Sequence, residues 1–105
     1  MFSFFSKKDY DLNGSDFKQK FNKTQNAVLI DVRTKAEFGE GTLPGAKNLD
    51  MMLPGFEAEA RKLDRGKTYF LFCRSGNRSG KAASMFEKLG LTSFNLVGGI
   101  GAWPR

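Results

Sequence analysis

The sequence predicts an α/β layer fold, in which right-handed crossovers connect the strands of a mainly parallel sheet. The chain has 105 residues, which suits one domain and leaves no room for a second core. Its apolar runs at 27–30 and 68–73 are continuous, as in strands that are covered on both faces. Segments with helical spacing of apolar residues lie between such runs, so strands and helices alternate along the chain.

The first predicted helix precedes the first predicted strand. Residues 9–14 have the composition of a loop, and Ser15 is expected to cap a helix that ends near Asn22. Phe17 and Phe21 fall on one face of this helix at i, i+4 spacing. They are therefore candidates for packing against the sheet.

A second, short helix is predicted directly after the strand at 27–33. Thr34 and Glu37 have the Thr-x-x-Glu spacing of a capping box, in which each side chain bonds the backbone N–H of the other residue. Gly39 and Gly41 are expected to end this helix.

The second half of the chain carries the longest predicted helix. Ser79 is expected to cap it and Gly90 to follow its last turn, with an apolar stripe between them. The remaining elements are predicted as an extended piece, a helix and two strands at 48–51, 54–63, 68–73 and 93–97.

The composition excludes several classes of catalytic and metal site. The chain has no His, so it holds no Ser-His-Asp triad, Cys-His pair or His-ligated zinc site. Its single Cys excludes an intramolecular disulfide, a Cys-x-x-Cys redox pair and a Cys-rich metal cluster. Any cysteine chemistry must activate a lone thiol without an imidazole base, and we expect no metal and no cofactor.

The net charge of +6 invites a nucleic-acid interpretation, but the sequence lacks an RNA-binding motif and a repeated basic–aromatic stripe. No apolar run approaches the ~18–20 residues of a membrane span. Residues 1–8 are predicted to be a Phe-rich tail and 9–105 the folded domain. In the tail the lysines follow the apolar residues, which is the reverse of a signal peptide. We therefore expect a cytoplasmic protein without a nucleic-acid or membrane partner.

The loop after the strand at 68–73 has the most distinctive chemical pattern. Cys73 is followed by small and turn-forming residues, which let the backbone curl so that successive N–H groups point inward. Such a loop beside a helix N-terminus binds anions and favours a thiolate. The stretch 65–86 also contains five basic residues and no acid. The predicted site consists of Cys73 as the nucleophile and of the anion-binding residues Arg74, Ser75, Gly76, Asn77, Arg78 and Ser79.

An alternative is that Cys73 is a small core residue at the end of a buried strand, as free cysteines often are. A core Cys has no need of an Arg-rich, curled loop, so the loop favours catalysis. Arg74 alone fits a surface position as well as the site. Arg78 is expected to face the loop, and Lys81 to be solvated on the helix.

Three segments, at 29–48, 72–83 and 97–103, share their order and spacing with a known family. They contain the sequences LIDVR, LPGAKN, FCRSGNRS and VGGIGAW. On these motifs the chain resembles a single-domain rhodanese, a thiosulfate sulfurtransferase-like domain, from about residue 10 onward.

This resemblance implies a sheet of about five strands with helices on both faces. It also implies that the Cys73 thiolate takes sulfur from thiosulfate or a persulfide donor, becomes a persulfide and passes the sulfur to cyanide or a thiol. Arg74 and Arg78 would bind the oxygens of the small anionic donor, and the loop N–H groups would stabilise the persulfide. A protein is a further class of sulfur acceptor.

The first family segment implies structural rather than catalytic roles. Asp31 is expected to hold loop backbone or an Arg near the site, and Arg33 to pair with Glu37. Thr42 stands where the family often has His, which we expect to change local packing without loss of activity. Trp103 is expected to seal an edge of the core.

Two other functions remain open from the sequence. A phosphatase or arsenate reductase of the same fold uses a Cys-x5-Arg loop, whereas Arg78 is five residues after Cys73 and the sixth position is Ser79. A persulfide carrier that relays sulfur to a partner protein would use the same Cys73 and the same loop as an enzyme.

Overall fold

A computed structural model describes residues 8–105, in which five parallel strands form one sheet in the order β1-β5-β4-β2-β3. The predicted tail at 1–8 lies outside the described residues except for Lys8, which is exposed. The strands are β1 (Asp11–Leu12), β2 (Ala27–Asp31), β3 (Lys47–Asn48), β4 (Thr68–Phe72) and β5 (Thr92–Leu96). The helices are α1 (Gly14–Lys23), α2 (Lys35–Glu40), α3 (Phe56–Arg61), α4 (Asn77–Lys88) and a 3-10 helix (Ile100–Ala102).

The sheet separates two apolar layers, because side chains alternate between its faces along each strand. In the central strand, Tyr69 and Leu71 pack with Cys73 against α3 and α4. Phe70 and Phe72 point to the opposite face and pack with α1 and the C-terminal segment. The predicted parallel α/β sheet with helices on both faces is therefore confirmed, and Cys73 belongs to the layer beneath α4.

Two predicted boundaries are wrong at the start of the chain. Asp11 and Leu12 form an edge strand that pairs with β5, where a loop was expected. Asn13, not Ser15, caps α1, because its side chain accepts a hydrogen bond from the backbone N–H of Asp16 at 2.9 Å.

The prediction that Ser79 caps α4 is also wrong. The helix begins three residues earlier than this cap predicts, at Asn77, with Gly76 as the N-cap residue and no side-chain cap. The end of the helix is as expected: Gly90 has φ 81°, and its N–H and that of Leu91 bond the carbonyls of Glu87 and Phe86.

The short helix α2 has the predicted capping box between Thr34 and Glu37. Gly39 lies inside this helix and Gly41 follows its last residue. Trp103 packs edge-on against Phe17, at the margin of the layer beneath α1. Within residues 8–105, no helix combines the length and the apolar character that crossing a membrane requires.

Candidate active site

The candidate site lies at the carboxyl end of the central strand, where ligands bind in parallel α/β sheets. Cys73 comes directly after β4, and α4 begins only four residues later. Gly76 makes this tight connection with a left-handed φ of 100°. A Cβ on Gly76 would lie 3.1 Å from the backbone nitrogen of Gly98, so the loop also packs closely on the turn after β5.

The sulfur of Cys73 accepts hydrogen bonds from the loop that follows it. Its Sγ lies 3.0 Å from the Gly76 nitrogen and 3.4 Å from the Ser79 nitrogen. The Ser79 hydroxyl oxygen lies 3.3 Å from the same sulfur. We call this set of donors, together with the Ser75 N–H that also acts on the thiol, the sulfur cradle.

The sulfur cradle changes the acidity of the thiol. Burial raises the pKa of Cys73, which has no exposed surface. Hydrogen bonding by the Ser79 hydroxyl and by the N–H groups of Ser79, Gly76 and Ser75 acts in the opposite direction and outweighs burial. The net pKa of the thiol therefore lies below its usual value, and no imidazole takes part.

A second wall of the site comes from the turn after β5. The N–H of Ile100 donates to the carbonyl oxygen of Cys73 at 2.8 Å. A Cβ on Gly99 would overlap the carbonyl group of Arg74, so this turn can approach the loop only because Gly99 has no side chain.

Arg78 does not donate to Sγ, because Glu37 holds its guanidinium in a two-pronged ion pair. Nη1 and Nη2 of Arg78 lie 2.7 and 3.0 Å from the two carboxylate oxygens of Glu37. This pairing, with hydrogen bonds from Thr34, lowers the pKa of Glu37 to about 2. Glu37 also raises the pKa of Arg78. The pair connects the first turn of α4 to the first turn of α2.

The expected pairing of Arg33 with Glu37 is wrong. Arg33 instead donates Nε and Nη2 to the carboxylate of Asp31, two residues before it, at 2.9 and 2.7 Å. Thr42 donates its hydroxyl to the same carboxylate at 2.9 Å, so the residue at the His position supports this buried pair. Asp31 does hold an Arg near the site, as its motif predicts.

The other predicted site residues fall into two groups, those that contact the sulfur and those with exposed side chains. Gly76 and Ser79 contact the sulfur, whereas Arg74, Ser75 and Asn77 have exposed side chains at the rim. Lys81 is exposed on α4, as expected.

The sequence did not reveal two polar residues behind the loop, Asn95 and Asp11. Asn95 of β5 accepts from the Ser79 hydroxyl at 2.5 Å and donates to Asp11 of β1 at 2.8 Å. The only sequence signal was a polar residue at a buried position of an apolar strand, which does not reveal its partner.

Comparison with known proteins gives a consistent result. The family described as "Rhodanese-like domain" matches residues 14–105. A protein named "Sulfurtransferase" from Allochromatium vinosum is 31% identical over 96 residues, covering 90% of this chain and 88% of its own length. A "Putative sulfurtransferase YtwF" from Bacillus subtilis is 31% identical over 93 residues, covering 89% of this chain and 88% of its own length.

A solved structure shares the architecture. The crystal structure of a rhodanese-like domain protein from Staphylococcus aureus has a TM-score of 0.76 at 26% identity, covering 90% of this chain and 91% of that one. The family match spans strands β2 to β5 and the segment that carries Cys73. The chain therefore belongs to the rhodanese-like domain family.

Proposed function

We propose that the protein is a sulfurtransferase that moves a sulfane sulfur from thiosulfate or a persulfide donor to cyanide or a thiol, through a persulfide on Cys73. Sulfur transfer in general is supported by the family match and by the sulfurtransferase names of its relatives. We take the folded unit as residues 9–105, since β1 begins at Asp11 and the family match extends to residue 105.

The reaction consists of two displacements at sulfur. In the first, the Cys73 thiolate attacks the outer sulfur of thiosulfate, an Sγ–S bond forms, and the S–S bond breaks as sulfite leaves with the electron pair. In the second, the acceptor attacks the outer sulfur of the persulfide and the Cys73 thiolate leaves. Sulfite is a good leaving group, so the chemistry requires no general acid and fits a chain without His.

The observation that carries this proposal is the sulfur cradle. Its donors point at the one nucleophile of the loop and stabilise negative charge at the place where the thiolate and the persulfide bear it. Cys73 is buried, so a donor can reach Sγ only when residues around the sulfur shift. We assign binding of the donor oxygens to Arg74, Asn77 and Ser75, with Arg78 beside them in its pair with Glu37.

The ion pair also bears on the phosphatase alternative. A phosphoryl group needs an Arg whose two guanidinium nitrogens are free to hold its oxygens. The guanidinium of Arg78 already binds Glu37 through two nitrogens, and it stands one position short of the Cys-x5-Arg spacing. Faster hydrolysis of p-nitrophenyl phosphate than turnover of thiosulfate would reverse this preference.

Mass spectrometry of the intact protein after thiosulfate treatment tests the proposal. We expect an adduct of ~32 Da, the mass of one sulfur transferred to the nucleophile, which a thiol reductant removes. The chain has one Cys, so the adduct has one expected position. Cys73→Ser, which is nearly isosteric, should fold normally, form no adduct and lose thiosulfate:cyanide activity. Thiosulfate:cyanide activity that persists in Cys73→Ser would contradict this mechanism.

The same persulfide serves a carrier that relays sulfur to a partner protein. The two roles differ in turnover: an enzyme discharges the adduct to cyanide repeatedly, whereas a carrier discharges it slowly to small acceptors and rapidly to its partner. Single-turnover measurement of adduct loss with cyanide and with a small thiol distinguishes them.

A further inference from the structure

A chain of hydrogen bonds extends from the edge of the sheet to the sulfur. Asp11 of β1 binds Asn95 of β5, Asn95 binds Ser79 of α4, and Ser79 contacts Cys73. Asn95 and Ser79 are buried, and no buried side-chain polar atom among residues 8–105 lacks a partner. The direction of each hydrogen bond in this network therefore affects the ionisation of the Cys73 thiol at its end.

The neighbours of Asn95 fix the orientation of its amide. Its Nδ2 lies 2.8 Å from a carboxylate oxygen of Asp11 and 3.4 Å from the carbonyl oxygen of Gly76, and both of these groups only accept. The amide NH2 must face them, so Oδ1 faces Ser79. Since Oδ1 also only accepts, the 2.5 Å contact requires the Ser79 hydroxyl to donate.

A hydroxyl has one proton, and Ser79 has two acceptors within reach. When the proton points to Oδ1 of Asn95, the Ser79 oxygen presents its lone pairs to Sγ at 3.3 Å, an arrangement that suits the neutral S–H as a donor. When Cys73 is a thiolate, the same proton is drawn to the sulfur and the buried Oδ1 loses its donor. Ionisation of the thiol thus exchanges one hydrogen bond for another.

We propose that Asn95 is a positioning residue that competes with Cys73 for the Ser79 hydroxyl proton and so opposes ionisation of the thiol. The N–H groups of the sulfur cradle stabilise the thiolate without losing another hydrogen bond. The Ser79 hydroxyl can stabilise it only by giving up its hydrogen bond to Asn95. This inference deepens the proposed function, since it concerns the nucleophile assigned there. It predicts a cysteine that is less acidic than its loop alone would make it.

The test must not alter the charged side chains that surround this network. Arg78 of α4 is paired with Glu37 of α2, and Asp31 of β2 is paired with Arg33. Arg74 is exposed, and Asp11 reaches the sulfur only through Asn95 and Ser79. Replacement of Asn95 changes none of these charges.

The test is the pKa of Cys73, read from the rate of alkylation by iodoacetamide across pH in the full chain. Asn95→Leu removes the competing acceptor and should lower this pKa by about 1, the effect of freeing one hydrogen bond to an ionised group. Ser79→Ala should raise the pKa by less than about 0.5 in the native chain but by about 1 or more in the N95L background. Asp11→Asn keeps an acceptor for Asn95 and should leave the pKa nearly unchanged.

Three results would overturn the inference. The first is a pKa of Cys73 that stays the same or rises in Asn95→Leu. The second is a rise of that pKa by about 1 or more when Ser79→Ala is made in the native chain. The third is a fall of that pKa in Asp11→Asn that equals the fall in Asn95→Leu. The second needs no change at Asn95, so it decides the question even if Asn95→Leu does not fold. Alkylation needs no sulfur donor, so failure here is distinguishable from failure of the sulfurtransferase proposal.

Discussion

Cys73 is surrounded by hydrogen-bond donors that carry no formal charge. Among the described residues, the groups that can donate to its sulfur are backbone N–H groups and the Ser79 hydroxyl, for whose proton Asn95 competes. Fixed dipoles in a buried site are weakly screened by salt, unlike a surface lysine or arginine. Under the proposed function, these donors take the place of an imidazole partner, which a chain with no His cannot supply.

Arg78 and Lys81 lie one helical turn apart and provide a matched comparison. Arg78→Ala leaves the Glu37 carboxylate without its partner at the rim of the site, where it repels an anionic donor. We expect the KM for thiosulfate to rise about tenfold, which is the effect of about 1.4 kcal/mol. Lys81→Ala removes an exposed charge and should change KM less than about twofold. Steady-state kinetics at fixed ionic strength measure both values.

Equal effects of the two substitutions would contradict this role for the ion pair. Adding Glu37→Gln to Arg78→Ala removes the unpaired carboxylate and should recover part of the lost donor affinity.

The residues of the loop could be predicted because they are adjacent in the chain. Cys73 and the curled segment after it form a local pattern, and the structure places Gly76 and Ser79 on the sulfur. The partners that tune the loop could not be predicted, because they come from distant segments. Arg78 pairs with a residue 41 positions away, and Asn95 reaches one 84 positions away.

At the scale of the elements, the Glu37–Arg78 pair joins α2 to α4 and makes stability depend on pH. The folded pKa of Glu37 is about 2, below the ~4.3 of an unfolded chain. Its contribution to folding is therefore complete above the unfolded pKa and is lost as pH falls through the folded pKa. The stability of the native chain should decline between about pH 5 and pH 2.

Glu37→Gln provides the matched comparison for this pH dependence. It keeps the shape of the side chain but does not titrate, so its free energy of unfolding should fall less steeply over the same interval. Urea unfolding at a series of pH values measures the two slopes, and identical slopes would refute the assignment.

The elements themselves were predictable where burial dominates. The continuous apolar runs identify β2 and β4 because both faces of these strands are covered. The two-residue strand β1 has no such signal, since its pairing with β5 connects opposite ends of the chain. The start of α4 was misplaced because its N-cap residue, Gly76, has no side chain to cap the helix, so the true start lacks the capping signal that Ser79 offers.

At the scale of the whole molecule, the two apolar layers are expected to differ in their effect on activity. Phe70 lies fully buried in the layer beneath α1 and makes edge contacts with Phe17 and Phe21. Phe70→Ala should lower the free energy of unfolding by about 3–5 kcal/mol, through lost burial and a cavity. Denaturant unfolding measures this loss.

Phe94 is the control for this substitution, because it contacts the same ring but is only half-buried. Phe94→Ala should cost distinctly less stability. Cys73 lies in the opposite layer, so sulfur transfer per folded molecule should survive in Phe70→Ala at low temperature. A specific loss of activity without loss of folded protein would show that the two layers are coupled.

The hydrogen bond from Ile100 to the carbonyl of Cys73 has a consequence for synthesis on the ribosome. Helix α4 and strand β5 lie between these residues, so translation reaches Cys73 well before the segment that supports its loop. A nascent chain that has emerged only as far as α4 has Cys73 but not the hydrogen bond that Ile100 donates to its carbonyl. The loop around Cys73 can therefore complete its supporting contacts only after the turn at Gly98 and Gly99 has left the ribosome and docked.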